Sequence, residues 1–378
     1  MAGGSDRIRT THAGSLPRPN ELADMIWARI DGEQIDAGRL EQLIDSAVQE
    51  VVGKQREAGI DVISDGEMSK SGFSTYVNDR FSGFGGRSEF QADDVAPFPN
   101  LAMRLFNTPS MAHLVFSNCV GPVELSDKQS VHDDIGRLKR ALGDADPSTA
   151  FMGAISPGQI AFNYPDQHYG SHEKYLAACA DALSYEYRAI VDAGLNLQID
   201  SPDVAMAAHS RSVGSSVGDW HHHLPLAIDA LNASLEGIPA ERVRFHVCWG
   251  NIASPHHCDI PLAEIIDHIL KVNAGTIYVE GANPRHQHEW RVFQDVDLPD
   301  DKSVILGVID VKTNYIEHPQ VVADRLVNLG KVIGKDRVIA GTDCGFDTFI
   351  RWSQVDPDVA WLKLKSLSEG AELASREL

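Results

Sequence analysis

Short apolar runs alternate with longer amphipathic stretches along most of the chain. Residues 7–15, 61–64, 151–155, 195–199, 243–248, 276–279, 304–308 and 338–341 read as strands. Between them, apolar residues recur at helical spacing. Leu40, Leu43, Ile44, Ala47, Val48, Val51 and Val52 mark a helix that Gly53 or Gly59 can end. Tyr175, Cys179, Leu183, Tyr187 and Ile190 mark one over 172–193, and Val322, Leu326, Leu329 and Ile333 one over 318–333. Others are predicted over 219–236 and 261–273, and a last one from Asp356-Pro357, a cap followed by proline. Strands alternating with helices imply a parallel sheet. Eight of them imply an α/β fold, a single (β/α)8 TIM barrel spanning residues 1–378. A doubly wound open sheet is disfavoured, because no glycine-rich dinucleotide fingerprint follows the first strand. Residues 72–150 break the rhythm and read as an insertion after the second strand, with short strands over 101–122 and a helix over 132–142.

The polar residues then fall into place. Each apolar run ends in reactive side chains: Thr11-His12, Asp65-Gly66-Glu67, Ser156-Pro157, Asp200, His246-x-Cys248, Glu280, Asp310 and Asp343-Cys344. In a barrel the C-terminal strand ends meet at one face, where such folds carry their active sites. His246 and Cys248 lie two apart on a strand and so share a face. With Glu280 and Cys344 at other strand ends they make a donor set suited to Zn²⁺: two thiolates, an imidazole and one displaceable oxygen. A satisfied core pair is the usual reading of His-x-Cys alone; the additional cysteine and glutamate reverse it.

Other titratable groups are sorted by position. His12, Asp65 and His286 are candidate proton donors, and Asp310 stands at the same face without an assignable partner for its loop, which includes Lys312. Arg18 and Arg285 could receive a sulfonate or carboxylate. His256-His257-Cys258 and His221-His222-His223 read as exposed surface, and Cys119 and Cys179 as buried small hydrophobes.

Composition narrows the class. The chain carries 33 Lys+Arg against 54 Asp+Glu, a net charge of −21. Such a chain repels phosphate backbones and anionic membranes, so neither nucleic acid nor membrane is an expected partner. No apolar run is long enough to span a bilayer, and the first residues do not read as a signal peptide. Five scattered cysteines are no disulfide framework, so a cytoplasmic location is expected. Oligomeric state is left open, a homo-oligomer included.

Six segments, RTTHAGSLPRP, VISDGE, LQIDSPD, HVCWG, YVEGANPR and IAGTDCG, together resemble the catalytic barrel of cobalamin-independent methionine synthase over nearly the whole chain. The order of HVCWG, EG-x-x-PRH-x-HEWRV and TDCG looks closer still to the epoxyalkane:coenzyme M transferase (2-hydroxypropyl-coenzyme M lyase) branch. The resemblance implies Zn²⁺ held by His246, Cys248, Glu280 and Cys344. It also implies Glu67 and Asp200 as partners of a homocysteine amino group, and the Gly14-Ser15 loop as the receiver of its carboxylate. The family's full-length enzymes have two barrels; this chain has length for one, and the aromatic folate-stacking segment is not evident.

Zinc makes a thiol a nucleophile at neutral pH by stabilising its thiolate. Three readings follow, with a small-molecule thiol and an alkyl donor as the partners in the first two. The first is zinc-dependent alkyl transfer to homocysteine or a related thiol. The second is addition of coenzyme M, or another anionic thiol, to an epoxide. The third is a zinc-binding barrel without catalysis.

Overall fold

The computed structural model describes residues 7–214, 217 and 219–378. Seven parallel strands form its central sheet, in the spatial order Arg9–Thr10, Val338–Thr342, Ser303–Ile309, Thr276–Val279, Val243–Val247, Asn196–Asp200 and Phe151–Ile155. Six of them, all but the first, are buried at every residue. That is why they read as continuous apolar runs rather than as alternating ones.

The eighth expected strand is reduced to a single parallel bridge, Ile63 with Ala150. The cause lies in its hydrogen bonds. The Asp61 and Val62 N–H groups both donate to the Thr10 carbonyl, at 3.2 and 3.0 Å, so the segment advances irregularly past its neighbour. On its other side Ile63 N–H donates to Thr149 O and Ile63 O accepts from Phe151 N–H. Residues 61–63 therefore contact both edge strands of the sheet. The opening strand is likewise shorter than expected, Arg9–Thr10, and the chain turns further on at Gly14, at φ +118°.

Helices Ala37–Glu57, Lys128–Leu142, His172–Asp192, Trp220–Ser234, Leu262–Ile269, Pro319–Ile333 and Pro357–Glu377 pack around the sheet. Most start at side-chain caps: Asp36, Asp127, Ser171, Asp219 and Asp356 each accept from an N–H in the first turn. The Ala37–Glu57 helix runs through Gly53 and stops before Gly59, whose φ of +80° ends it. Val322, Leu326 and Leu329 are fully buried, each contributing about 1.5–3 kcal/mol through removal from water.

Two sequence expectations are corrected here. Asn20–Ile30, unassigned from the sequence, is a helix that buries Leu22, Ala23 and Ile26. Much of 101–122, expected to be strand, is helical: Pro99–Phe106 and Pro109–His113. Proline at the first helical position favours both starts, and Thr108 Oγ1 caps the second by accepting from Met111 N–H. The strand begins only at Asn118, running to Leu125 and pairing antiparallel with Phe81–Gly85. Phe90–Ala92 pairs antiparallel with Ser210–Ser212, so the 72–116 stretch is tied to the loop after Asp200. No helix among the described residues is long and apolar enough to cross a membrane.

Period two along Val243–Val247 places Arg244 on the same side as His246. Arg244 donates to Thr11 Oγ1 at 2.9 Å and to the His12 carbonyl at 2.8 Å, and lies 3.9 Å over the Phe151 ring. Burial pushes its pKa down to about 10, so it stays charged at neutral pH. Register pairs Gln198 with Arg244 and Asp200 with His246. The charged arginine layer thus lies beneath the strand ends that form the site.

Candidate metal centre

The strand Val243–Val247 delivers His246, and Cys248 follows at its end; Cys344 lies just beyond Val338–Thr342. Their ligand atoms all lie within 4.8 Å of one another, and all three residues are buried. The two sulfurs are 3.9 Å apart and unbridged. A tetrahedral Zn²⁺ with Zn–S bonds of about 2.3 Å needs its sulfurs about 3.8 Å apart, so this spacing fits the ion. The neighbouring Cys344, together with burial, pushes the Cys248 thiol well up. A cation beside the two sulfurs would favour the Cys248 thiolate.

The imidazole is oriented for the same purpose. His246 Nδ1 donates to Asp200 Oδ1 at 2.8 Å, and Gln198 Nε2 donates to the same oxygen at 2.8 Å. Nε2 is then the nitrogen left to hold a metal, its nearest partner being the Asp343 carbonyl at 3.4 Å.

Glu280, expected as the fourth ligand, is not grouped with these three. Its carboxylate accepts from Trp249 N–H at 3.0 Å, from Lys312 Nζ at 3.1 Å and from Asn283 Nδ2 at 3.5 Å. Burial is the largest influence on its pKa and would raise it, but Lys312, His286, His256 and the Trp249 N–H together lower it; Lys312 is raised in return, chiefly by Glu280 against its own desolvation. The pair is ionised. Lys312, whose loop had no assignable partner in the sequence, thus belongs to the site. Asp343 also escaped the sequence reading as a site residue. It accepts from the Gly281, Ala282 and Asn283 N–H groups at 2.9, 2.8 and 2.6 Å, fixing the turn after Glu280.

Glu67 and Asp200 come together beside the cluster. A Cβ built on Gly153 would lie 3.0 Å from Glu67 Oε1 and 3.1 Å from Asp200 Oδ2, so glycine there leaves both carboxylates room. Glu67 is left-handed at φ +59°, directly after Gly66 at +66°. Such a backbone costs about 1–3 kcal/mol in a residue with a Cβ. Arg18 holds it, donating to the Glu67 carbonyl at 2.8 Å. Burial raises the Glu67 carboxyl, with Asp200 adding to the effect, and its Oε2 has no hydrogen-bond partner among the described residues.

An apolar cavity opens onto these groups. Ser15, Glu67, Asp200, His246, Cys248 and Cys344 line it together with aromatic side chains from Phe73 to Trp352. None of the described lining residues is Lys or Arg.

Several expected site residues are placed elsewhere. Arg18 is buried and spent on Asp347 and Glu67, so it offers nothing to a substrate. Arg285 is exposed, away from the cavity lining. His12 is buried against Gln55 Oε1, and burial lowers it to about 3, which leaves it neutral and no acid at neutral pH. Asp65 accepts from Glu67 N–H and shapes that turn. Asp310 accepts from Lys312 N–H and Thr313 Oγ1 in its own loop. None of His12, Asp65, His286 and Asp310 lines the cavity.

His286 instead joins His256 on Asp259. Asp259 Oδ2 accepts from His256 Nδ1 at 2.6 Å and His286 Nε2 at 2.7 Å, while His209 Nε2 lies 3.3 Å from Oδ1. His256 is therefore buried, not solvated as expected. His223 is also buried, bonded to Asp203 and His172, while His221 and His222 are exposed. Both corrections have one cause: a carboxylate waits inside the fold for each ring. Cys119 and Cys179 are fully buried, as expected.

Comparison with known proteins adds a family. The family model described as "Cobalamin-independent synthase, Catalytic domain" matches residues 164–362. A methionine synthase of Sulfolobus acidocaldarius is 25% identical, covering 98% of this chain and 93% of the relative. A 2-hydroxypropyl-CoM lyase of Xanthobacter autotrophicus is also 25% identical, over 98% and 96%. Among solved structures, a B12-independent methionine synthase from Shewanella sp. W3-18-1, in complex with selenomethionine, superposes with a TM-score of 0.75 at 23% identity, covering 98% of each chain.

Proposed function

The chain belongs to the cobalamin-independent synthase catalytic-domain family, and from that premise we propose that it is a zinc-dependent enzyme transferring an alkyl group to an amine-bearing thiol of the homocysteine type. One observation carries the reading: a His246–Cys248–Cys344 cluster of tetrahedral spacing opens on a cavity whose adjoining wall is the Glu67–Asp200 carboxylate pair. We read residues 61–63 as the eighth stave of a closed (β/α)8 barrel, with 72–150 inserted after it.

Bound at the cluster, Zn²⁺ would hold a thiol as its thiolate near neutral pH. His246, Cys248 and Cys344 would ligate it, and Asp200 fixes the histidine tautomer. Glu280 would be the displaceable fourth ligand. Lys312 and the Trp249 N–H pair its carboxylate here, so Glu280 off the metal would not be left as an unpaired buried charge. Glu67 and Asp200 present two carboxylates to one ammonium, which relieves their mutual repulsion. The Gly14-Ser15 loop, with Ser15 on the cavity wall, is the nearest receiver for a carboxylate. Two buried acids, and no Lys or Arg among the described lining residues, disfavour coenzyme M, whose sulfonate would find no basic side chain there.

Calorimetry on the zinc-loaded protein tests this. Homocysteine is expected to bind at least roughly ten-fold more tightly than coenzyme M, and Glu67→Gln to erase most of that preference, since a hydrogen bond to a charged group contributes about 1.5–3 kcal/mol. Equal or tighter binding of coenzyme M overturns the reading.

A further inference from the structure

The cavity beyond the metal cluster has a chemical character of its own. Phe162, Phe90, Phe116 and Phe349 form a continuous chain of ring contacts, at centroid distances of 5.9, 6.2 and 6.2 Å. Phe73 and Trp352 extend it, each 5.4 Å from Phe349. All six line the same cavity. Edge-on and tilted rings at these distances present both faces and edges to whatever enters, a surface suited to another ring.

Charge is the second observation. The ionisable carboxylates on the lining are Glu67, Asp200 and Asp94. Glu67 and Asp200 adjoin the metal cluster. Asp94 is already satisfied, accepting from the His256 and His257 N–H groups at 3.1 Å each and from His257 Nδ1 at 2.7 Å. Away from the metal cluster, an anion entering this cavity would be desolvated with no Lys or Arg among the described lining residues to meet it. A cation would find only one spent carboxylate away from the cluster.

The third observation is a buried donor. Asn163 lines the cavity, is 2% exposed, and its Nδ2 has no hydrogen-bond partner among the described residues. A buried N–H left unmade costs about 1–3 kcal/mol, which an acceptor atom on a ligand would recover.

We propose that the alkyl donor is an uncharged, ring-bearing apolar molecule, held by this aromatic wall and by Asn163 through an oxygen or nitrogen acceptor. This rests on the alkyl-transfer reading above for its role as donor. The step balances without a further reactant. The thiol sulfur's electron pair forms the new S–C bond, and the bond from that carbon to the donor's heteroatom breaks. That bond's pair stays on the heteroatom, which ends with the proton the thiol gave up. Donors carrying a polyanionic tail are excluded by the same wall.

The test is a binding series with size-matched probes on the full zinc-loaded chain: 2-phenylethanol, phenylacetate and phenethyltrimethylammonium, each titrated calorimetrically. The alcohol is expected to bind at least ten-fold more tightly than either ion. Met111→Lys, on the cavity wall, is expected to improve phenylacetate at least five-fold while weakening the alcohol. Asn163→Leu is expected to weaken the alcohol about five-fold. Phenylacetate binding as tightly as the alcohol overturns the proposal, as does tighter binding of the ammonium, which would mark an onium donor. Binding of no probe overturns it too. The series is repeated on Cys344→Ala after metal removal. The same preference there, alongside a zinc-loaded wild-type protein that binds no thiol, would show the cavity's class intact and the zinc reading wrong.

Discussion

Among the described residues three clusters are built from metal-binding residue types; Asp94–His257–Cys258 is partly exposed, and the two buried ones behave differently. At one, His246, Cys248 and Cys344 converge with their donor atoms largely free of one another, the sulfurs a tetrahedron edge apart. At the other, His256, His286 and Asp259 also converge within 4.8 Å. There, however, the donors are already joined. Asp259 accepts directly from both rings at 2.6 and 2.7 Å, His256 Nε2 reaches the Ile252 carbonyl at 2.9 Å, and His286 Nδ1 reaches Glu289 at 2.8 Å. Atoms this close have no room for an ion between them. The difference teaches that residue type nominates a metal site and spacing decides it. The second cluster serves structure instead. His286 stacks on Trp249 at 4.0 Å, and Trp249 N–H holds Glu280. A closed hydrogen-bonded node thus supports the open one.

Breaking each cluster should have opposite consequences. Cys344→Ala removes one of three ligands, and zinc affinity is expected to fall by well over roughly a hundred-fold, beyond the ~10–100-fold typical of outer-shell changes. Metal content after dialysis reads this out, with circular dichroism confirming that the sheet still folds. Retained zinc would show that the cluster is misassigned. Asp259→Asn should do the reverse. Removing one partner of a buried charge network costs about 3–5 kcal/mol, so denaturant midpoints should drop while bound zinc is unchanged. Zinc loss in the folded variant would instead make the histidine node a second metal site.

The Cys344 variant also bears on how much was legible in the sequence. The period of two in residues 243–248 put His246 and Cys248 on one face, and the apolar runs ending in polar residues marked the sheet and its active edge. What local pattern could not carry is pairing across long separations. Lys312 meets Glu280 from another strand end, and Asp343 grips 281–283 through backbone N–H groups that have no sequence signature. His256 looks like a surface loop residue until Asp259, three residues on, is found turned inward. The aromatic wall is gathered from Phe73, Phe90, Phe116, Phe162, Phe349 and Trp352, positions that share no periodicity. Residues 61–64 read as a strand because of the apolar Val62-Ile63 pair; the doubled bond of Asp61 and Val62 to Thr10 is a tertiary effect.

A smaller effect separates the clusters by pH. Burial alone would lower His286, but hydrogen bonds to Asp259 and Glu289 outweigh it and raise it to about 9. A raised pKa means the folded state binds the proton more tightly than the unfolded one. The stabilisation is complete below the unfolded value of about 6.5 and is lost as pH climbs to about 9. Unfolding free energy should therefore fall across that window by up to a few kcal/mol, and His286→Gln should flatten the slope. An unchanged slope in that variant would place the titration elsewhere.

The smallest expected effect sharpens the comparison from the metal side. Asp200→Asn frees His246 Nδ1 from its carboxylate and should weaken zinc by about 10–100-fold, measured by chelator competition, with stability near wild type. A value unchanged within two-fold would show that the tautomer is fixed by something else.

The most direct test is zinc-edge X-ray absorption on the metal-loaded protein, with and without homocysteine. The account expects two sulfur ligands from Cys248 and Cys344 at rest and three once the thiol is added. A count of two in both states would contradict activation of the thiol at this centre.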